Sequence, residues 1–144
     1  MTTSLLRLLI SSLLGSFFYL FLGWIVFDVV LGAYTEAHTT KIEGFKKTTD
    51  FSMPFLYASC FAYSLLVNFV LFHTNITSII KAISFSAILG VLVACMTDFF
   101  WYASSNFYSN FTVVFLDLAG AAVSVGALGG FSFALLKTIR ARTT

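Results

Sequence analysis

Residues 78–102 read SIIKAISFSAILGVLVACMTDFFWY, and this run decides the fold. Only Lys81 and Asp98 in it are charged. A helix needs about 20 mostly apolar residues to cross a hydrocarbon core of about 30 Å, and the run supplies them without interruption. Three further runs of the same kind lie at about 5–34, 51–72 and 111–136, so apolar segments fill nearly all of the 144 residues. The chain is 59% hydrophobic and 10% charged, where a soluble domain carries about 25% charge, and its mean hydropathy is +0.96. The expected fold is all-α: a single membrane domain, a bundle of four transmembrane helices with a lipid bilayer as its solvent. A net charge of +2, with basic residues scattered or at the C-terminus, gives no patch for nucleic acid.

The first run has only Arg7 before its apolar stretch and no small-x-small cleavage site, so it reads as a retained helix rather than a signal peptide. Between the first two runs lies the largest polar segment, Thr35 to Asp50, with six of the fourteen charged residues. Ser52 and Pro54 open the second run as an N-cap and a first-turn proline. Cys60 and Cys95 fall inside predicted spans without metal-ligand spacing, and read as packing residues.

Orientation follows from lysine and arginine in the short loops. With the N-terminus inside, Arg7, Lys81, Lys137, Arg140 and Arg142 are cytoplasmic, against Lys41, Lys46 and Lys47 outside. Both termini are therefore expected in the cytoplasm. Asp28 and Asp98 then lie late in outward helices and Asp117 early in an inward one, so all three acids fall in the outer half of the bundle. Inverting the protein moves them together.

A carboxylate at membrane depth is costly unless it meets water, a proton, a cation or a hydrogen-bond donor, which makes each aspartate a candidate site residue. Helical periodicity aligns Asp98 with Ser84, Ala87, Gly90, Val91, Ala94 and Cys95, with Trp101 and Tyr102 above it, and Asp117 with Gly120, Ala121, Ser124 and Ala127. Small residues let membrane helices approach closely, so both faces are expected to point inward. Asp28 shares its face with Phe21, Trp24, Leu31 and Gly32, and the second run has a polar stripe of Tyr57, Cys60, Ser64 and Asn68. The candidate ligand- or proton-binding set is Asp28, Asp98, Asp117, Trp24, Trp101, Tyr102 and Asn106. No lysine or arginine lies near the acids within the spans. The expected partners are protons, an external cation, the loop lysines, or donors such as Tyr102, Asn106 and Thr112.

Simpler readings stand beside these. Asp28 and Asp98 are near enough to helix ends to reach interfacial water, Asp117 gains from a helix N-terminus, and Trp24, Trp101, Tyr34, Tyr102 and Tyr108 form an ordinary interfacial belt. His38 and Glu36 read as solvated loop residues and His73 as interfacial. Scattered histidine and aspartates give no metal site, and no cofactor is implied. Nucleophile elbows, zinc-protease helices, phosphate loops and dinucleotide fingerprints are all missing from the sequence. Gly126 and Gly130 make a small-xxx-small pair on the opposite face from Asp117, a surface for a neighbouring helix or a second subunit. Asn75 and Asn110 head glycosylation-type triplets but abut the spans, so capping is the favoured role.

The stretch Asp98-Phe99-Phe100-Trp101-Tyr102-Ala103-Ser104-Ser105-Asn106, followed by Val114-Phe115-Leu116-Asp117-Leu118-Ala119-Gly120, resembles the third and fourth helices of small bacterial four-helix integral membrane proteins of unknown function. Gly23-Trp24 to Asp28 and Gly32 resemble their first helix. The chain departs in having Gly120 where an aromatic often follows the alanine. The resemblance implies a bundle in a bacterial inner membrane and supplies no activity. The favoured function is binding or transport of a proton, cation or polar small ligand through the aspartates. A structural or regulatory subunit of a larger membrane complex is the alternative, and an embedded enzyme using paired carboxylates the least favoured.

Overall fold

The computed structural model describes residues 2–41, 50–74 and 76–141. Helix α1 spans Thr2–Gly23 and passes directly into a π-helical segment, Trp24–Val30. After a bend at Leu31 the short α2, Gly32–His38, carries the chain on. Helices α3, α4 and α5 span Met53–His73, Ile79–Ser104 and Phe111–Ala141. Four helices are long and apolar enough to cross a membrane: Leu5–Val30, Met53–His73, Ile79–Ser104 and Phe111–Thr138. The chain is an all-α, multi-pass four-helix bundle, as its composition requires.

Local chemistry sets the boundaries. Pro54 lies in the first turn of α3, and Ser52 holds the N-cap backbone position without a side-chain cap bond. Ser78 caps α4 by accepting the Lys81 N–H at 3.3 Å, and Asn110 caps α5 by accepting the Val113 N–H at 3.2 Å. Asn110 thus takes the capping role; Asn75 lies outside the described residues. The first run is not the uninterrupted helix its apolar pattern suggests. Each i→i+5 turn holds one more residue than an α turn, so beyond Gly23 the side chains leave the faces that a 3.6-residue period assigns.

The bundle is built around α5. In its most apolar stretch 44% of the residues are buried, against 28% in α3, 22% in α4 and 11% in the first span. Helix α4 packs along α5, α1 and α3 pack on each other and on α5, and α3 scarcely touches α4. The α4–α5 contact runs through small residues: Ala82, Ser86, Gly90 and Asp98 are the buried positions of α4. A Cβ on Gly90 would stand 2.7 Å from Val125 Cβ and 2.9 Å from the Ala121 carbonyl oxygen. Gly126 faces Ala87 and Ile83, and Gly130 faces Ile83 and Ile79. The small-xxx-small pair is therefore covered by α4 of the same chain, and a second subunit reaches it only if α4 moves.

On the other side, Gly15 of α1 admits Ser64, Asn68 and Leu128. Asn68, fully buried, donates through Nδ2 to the Ser64 carbonyl at 2.8 Å and to Ser132 Oγ at 3.1 Å, joining α3 to α5. Around this seam lie Val67, Leu71, Ala82, Val125 and Leu128. The outward faces are large and apolar, Met96, Ile88, Leu92 and Phe100 on α4 and Phe17 and Phe21 on α1 among them, as a lipid environment demands.

Candidate functional site

The convergence of acids begins with helix phase. Asp98 continues the buried stripe of α4 two turns beyond Gly90 and is 4% exposed. Asp117, nearly two turns into α5 and one turn before Gly120, meets it across the contact, the two carboxyls lying within hydrogen-bonding reach of each other. Gly120 matters because Phe27 and Leu31 press on it, so that a Cβ there would stand 2.8 Å from the Phe27 ring. The first segment thus seals the Asp117 turn with apolar groups.

Tyr108 completes the arrangement from the loop between α4 and α5. Its phenol donates to Asp98 Oδ1 at 3.0 Å, and Thr97 Oγ1 approaches the same oxygen at 3.4 Å. The other oxygen, Oδ2, is buried and accepts from no hydroxyl, amide or main-chain donor among the described residues. Burial first, then the Asp98 charge and the hydrogen bond to it, and last the Asp117 charge, push the Tyr108 phenol well above the ordinary tyrosine range.

The loop is held in place by the end of α2. Thr39 and Tyr108 form an antiparallel bridge. The Thr40 N–H donates to the Phe107 carbonyl at 2.7 Å and the Ser109 N–H to the His38 carbonyl at 2.9 Å, while Thr40 Oγ1 donates to the Asn106 carbonyl at 2.6 Å. Beneath this tether is a recess of about 180 Å³ lined by Thr97, Asp98, Trp101, Phe107 and Tyr108.

Of the candidate residues, the structure brings together Asp98, Asp117 and Trp101. Asp28 does not join them. It is exposed on the π-helical segment, where its neighbour Phe27 is the side chain that meets α5. Trp24 is also exposed, its ring 6.2 Å from Phe21. Tyr102 sits edge-on to Phe111 at 5.6 Å, and Asn106 is exposed and contributes its carbonyl to the tether. Among the loop lysines Lys41 is exposed, and Lys46 and Lys47 lie outside the described residues. The donor that Asp98 uses, Tyr108, is one that the sequence places only in an interfacial belt. One signal was available: a short loop joining two antiparallel helices must fold back over their ends, and Tyr108 is at its centre.

Chemically, Asp98 has the Tyr108 phenol as its donor, the Thr97 hydroxyl shared between it and the Ala94 carbonyl and a second carboxyl, beside a recess walled by aromatic rings. No group of three or more His, Cys, Asp or Glu among the described residues is arranged to hold a metal ion. No family model matches the chain, and no curated protein or solved structure matches it either.

Proposed function

We propose that this protein binds a proton at the Asp98–Asp117 pair, and that the pair serves to bind or move a proton, a cation or a small polar ligand at one end of the bundle. The carrying observation is the carboxyl–carboxyl contact beside an open recess. Two ionised carboxylates offer only acceptors, so a hydrogen bond between them needs one proton held in common. Such a proton sits where Tyr108 and Thr97 already orient Asp98, and the recess gives it a route to exchange.

The setting proposed is a bacterial inner membrane, with both termini cytoplasmic and the acids in the outer half; the lysine and arginine balance and the resemblance noted above support this. Cysteine labelling in intact cells tests it. Single cysteines at Thr40 and Asn106 should react with an impermeant reagent and one at His73 should not, and the reverse pattern overturns the orientation.

Infrared difference spectroscopy on the reconstituted protein tests the pair. A protonated-carboxyl carbonyl band that shifts in deuterium oxide should be present in the native chain and lost in both Asp98→Asn and Asp117→Asn. A native chain with no such band sinks the reading. In that event the second reading leads, a structural or regulatory subunit of a larger membrane complex, which the acids' burial against each other also supports; an assembly of that kind has to use a surface other than Gly126 and Gly130.

A further inference from the structure

Three of the five residues that line the recess are aromatic, and their rings meet as a corner rather than a stack. Trp101 and Phe107 lie 5.9 Å apart at 49°, and Phe107 and Tyr108 4.8 Å apart at 66°. At the base is Asp98, 4% exposed, with Oδ2 buried and accepting from no ordinary donor. The volume of about 180 Å³ is below the roughly 300–1,000 Å³ of drug-sized sites. A buried acid among aromatic rings in a small space suits a compact cation.

The chemistry of the walls narrows the class. Calcium-like ions take about six to eight oxygen ligands and magnesium keeps several waters, whereas this recess offers one acid, the Tyr108 and Thr97 hydroxyls and aromatic rings. Ring faces attract weakly hydrated organic cations lying within about 6 Å of the centroid. We infer that the recess takes a small alkylammonium ion, and that the ion enters by displacing the proton shared by Asp98 and Asp117. The inference rests on the proton-holding reading of that pair.

The exchange balances. Before it, two carboxyls and one proton carry a net charge of −1; after it, two carboxylates and one monovalent cation carry the same charge, and the proton has gone to bulk buffer. The cation and the proton compete because each supplies the single positive charge that lets two close carboxylates lie together, so occupancy by one releases the other. The titratable groups that face the pair are phenols, Tyr108 from the loop and Tyr19 from α1, which lies within electrostatic reach of Asp117. Helix α3 enters through Tyr63 and Cys60, beside Tyr19. On the stretch from the π-helical segment to α2, Asp28 and Glu36 are exposed and His38 Nδ1 lies 2.9 Å from the Tyr34 carbonyl. Release that survives Asp117→Asn comes from these groups and not from the pair.

The test uses the full chain in detergent, titrated with tetramethylammonium chloride and, separately, with sodium chloride at equal ionic strength. Tryptophan fluorescence reads binding, and an indicator dye in weak buffer reads proton release. Tetramethylammonium should give a saturable signal that persists in Trp24→Phe and releases one proton per ion bound; sodium should do neither. Trp101→Leu, which changes a partly exposed side chain, should weaken binding about tenfold or more while leaving the carboxyl band in place, and Phe107→Ala provides a second wall variant read by proton release. Asp117→Asn should remove the proton release. Equal responses to the two salts, or binding unaffected by both wall variants, overturn the inference. If the carboxyl band is present but tetramethylammonium releases no proton, the inference fails and the proton-holding reading stands; if the band is absent, both fail.

Discussion

The two ends of the α4–α5 contact treat polar groups in opposite ways. Near the start of α4, Ser86 is pressed against Gly129, with the Ala82 carbonyl alongside, and the backbones approach so closely that no side chain larger than hydrogen fits. At the far end of the same helix pair, Asp98 and Asp117 meet beneath a loop and beside a recess. Glycine brings the helices together at the first end, and volume is left between the loop and α4 at the second. Polarity within such a bundle is structural where backbone closes on it and chemical where space remains.

The largest effect is expected from filling the closed end. A Cβ on Gly129 runs into Ser86 and stands 2.8 Å from the Ala82 carbonyl oxygen, so Gly129→Val should cost about 3 kcal/mol or abolish folding. Unfolding in SDS followed by circular dichroism measures this, and a native-like midpoint would show that the helices separate there at no cost.

At the open end, Tyr108→Phe removes the 3.0 Å bond to Asp98 Oδ1 and should cost about 1–2 kcal/mol. Its pH dependence has a definite sign. Because burial and Asp98 raise the folded phenol above its unfolded value, the stability it contributes is complete below about pH 10 and declines as pH rises from there through the folded value. Alkaline difference absorbance between the native chain and Tyr108→Phe should therefore show this phenol ionising after the exposed tyrosines; ionisation along with them would contradict its position.

A smaller effect is expected for Asp117→Asn, whose amide supplies the hydrogen that the shared proton provided. Stability should change by less than about 1 kcal/mol, and the same SDS titration showing a severe loss would place Asp117 with the structural polar groups instead. The smallest change is at Gly23, where a Cβ meets nothing within 4 Å. Gly23→Ala should stay within about 1 kcal/mol of native and, given alanine's helix propensity, lie on the stabilising side.

Much of this architecture is legible in the sequence for a simple reason: lipid makes length and apolarity the main requirements of a span, and four runs meet them. The inward faces of Asp98 and Asp117 are equally legible, because each lies in line with small residues at three- and four-residue spacing. Asp28 is not, since a π-helical segment begins four residues before it and changes the helical phase, which hydropathy does not record. Tyr108 escapes for a different reason. Its role depends on a loop that folds back over Asp98 and pairs with residues nearly seventy positions earlier, as in the Thr40–Asn106 contact, and such a return carries no periodicity. The covering of Gly126 and Gly130 by α4 is likewise a matter of which neighbour arrives, since a small-xxx-small pattern names a contact without naming its partner.

The central position of α5 bears on how the chain is assembled during synthesis. Helices α1, α3 and α4 all emerge from the ribosome before the helix that each of them packs against, and α3 scarcely touches α4. Until α5 is inserted, α4 has no counterpart for Ala82, Ser86 and Gly90, and Asp98 has no Asp117. The α4–α5 contact and the acid pair therefore both depend on the last helix to be inserted, whereas the α1–α3 contact does not.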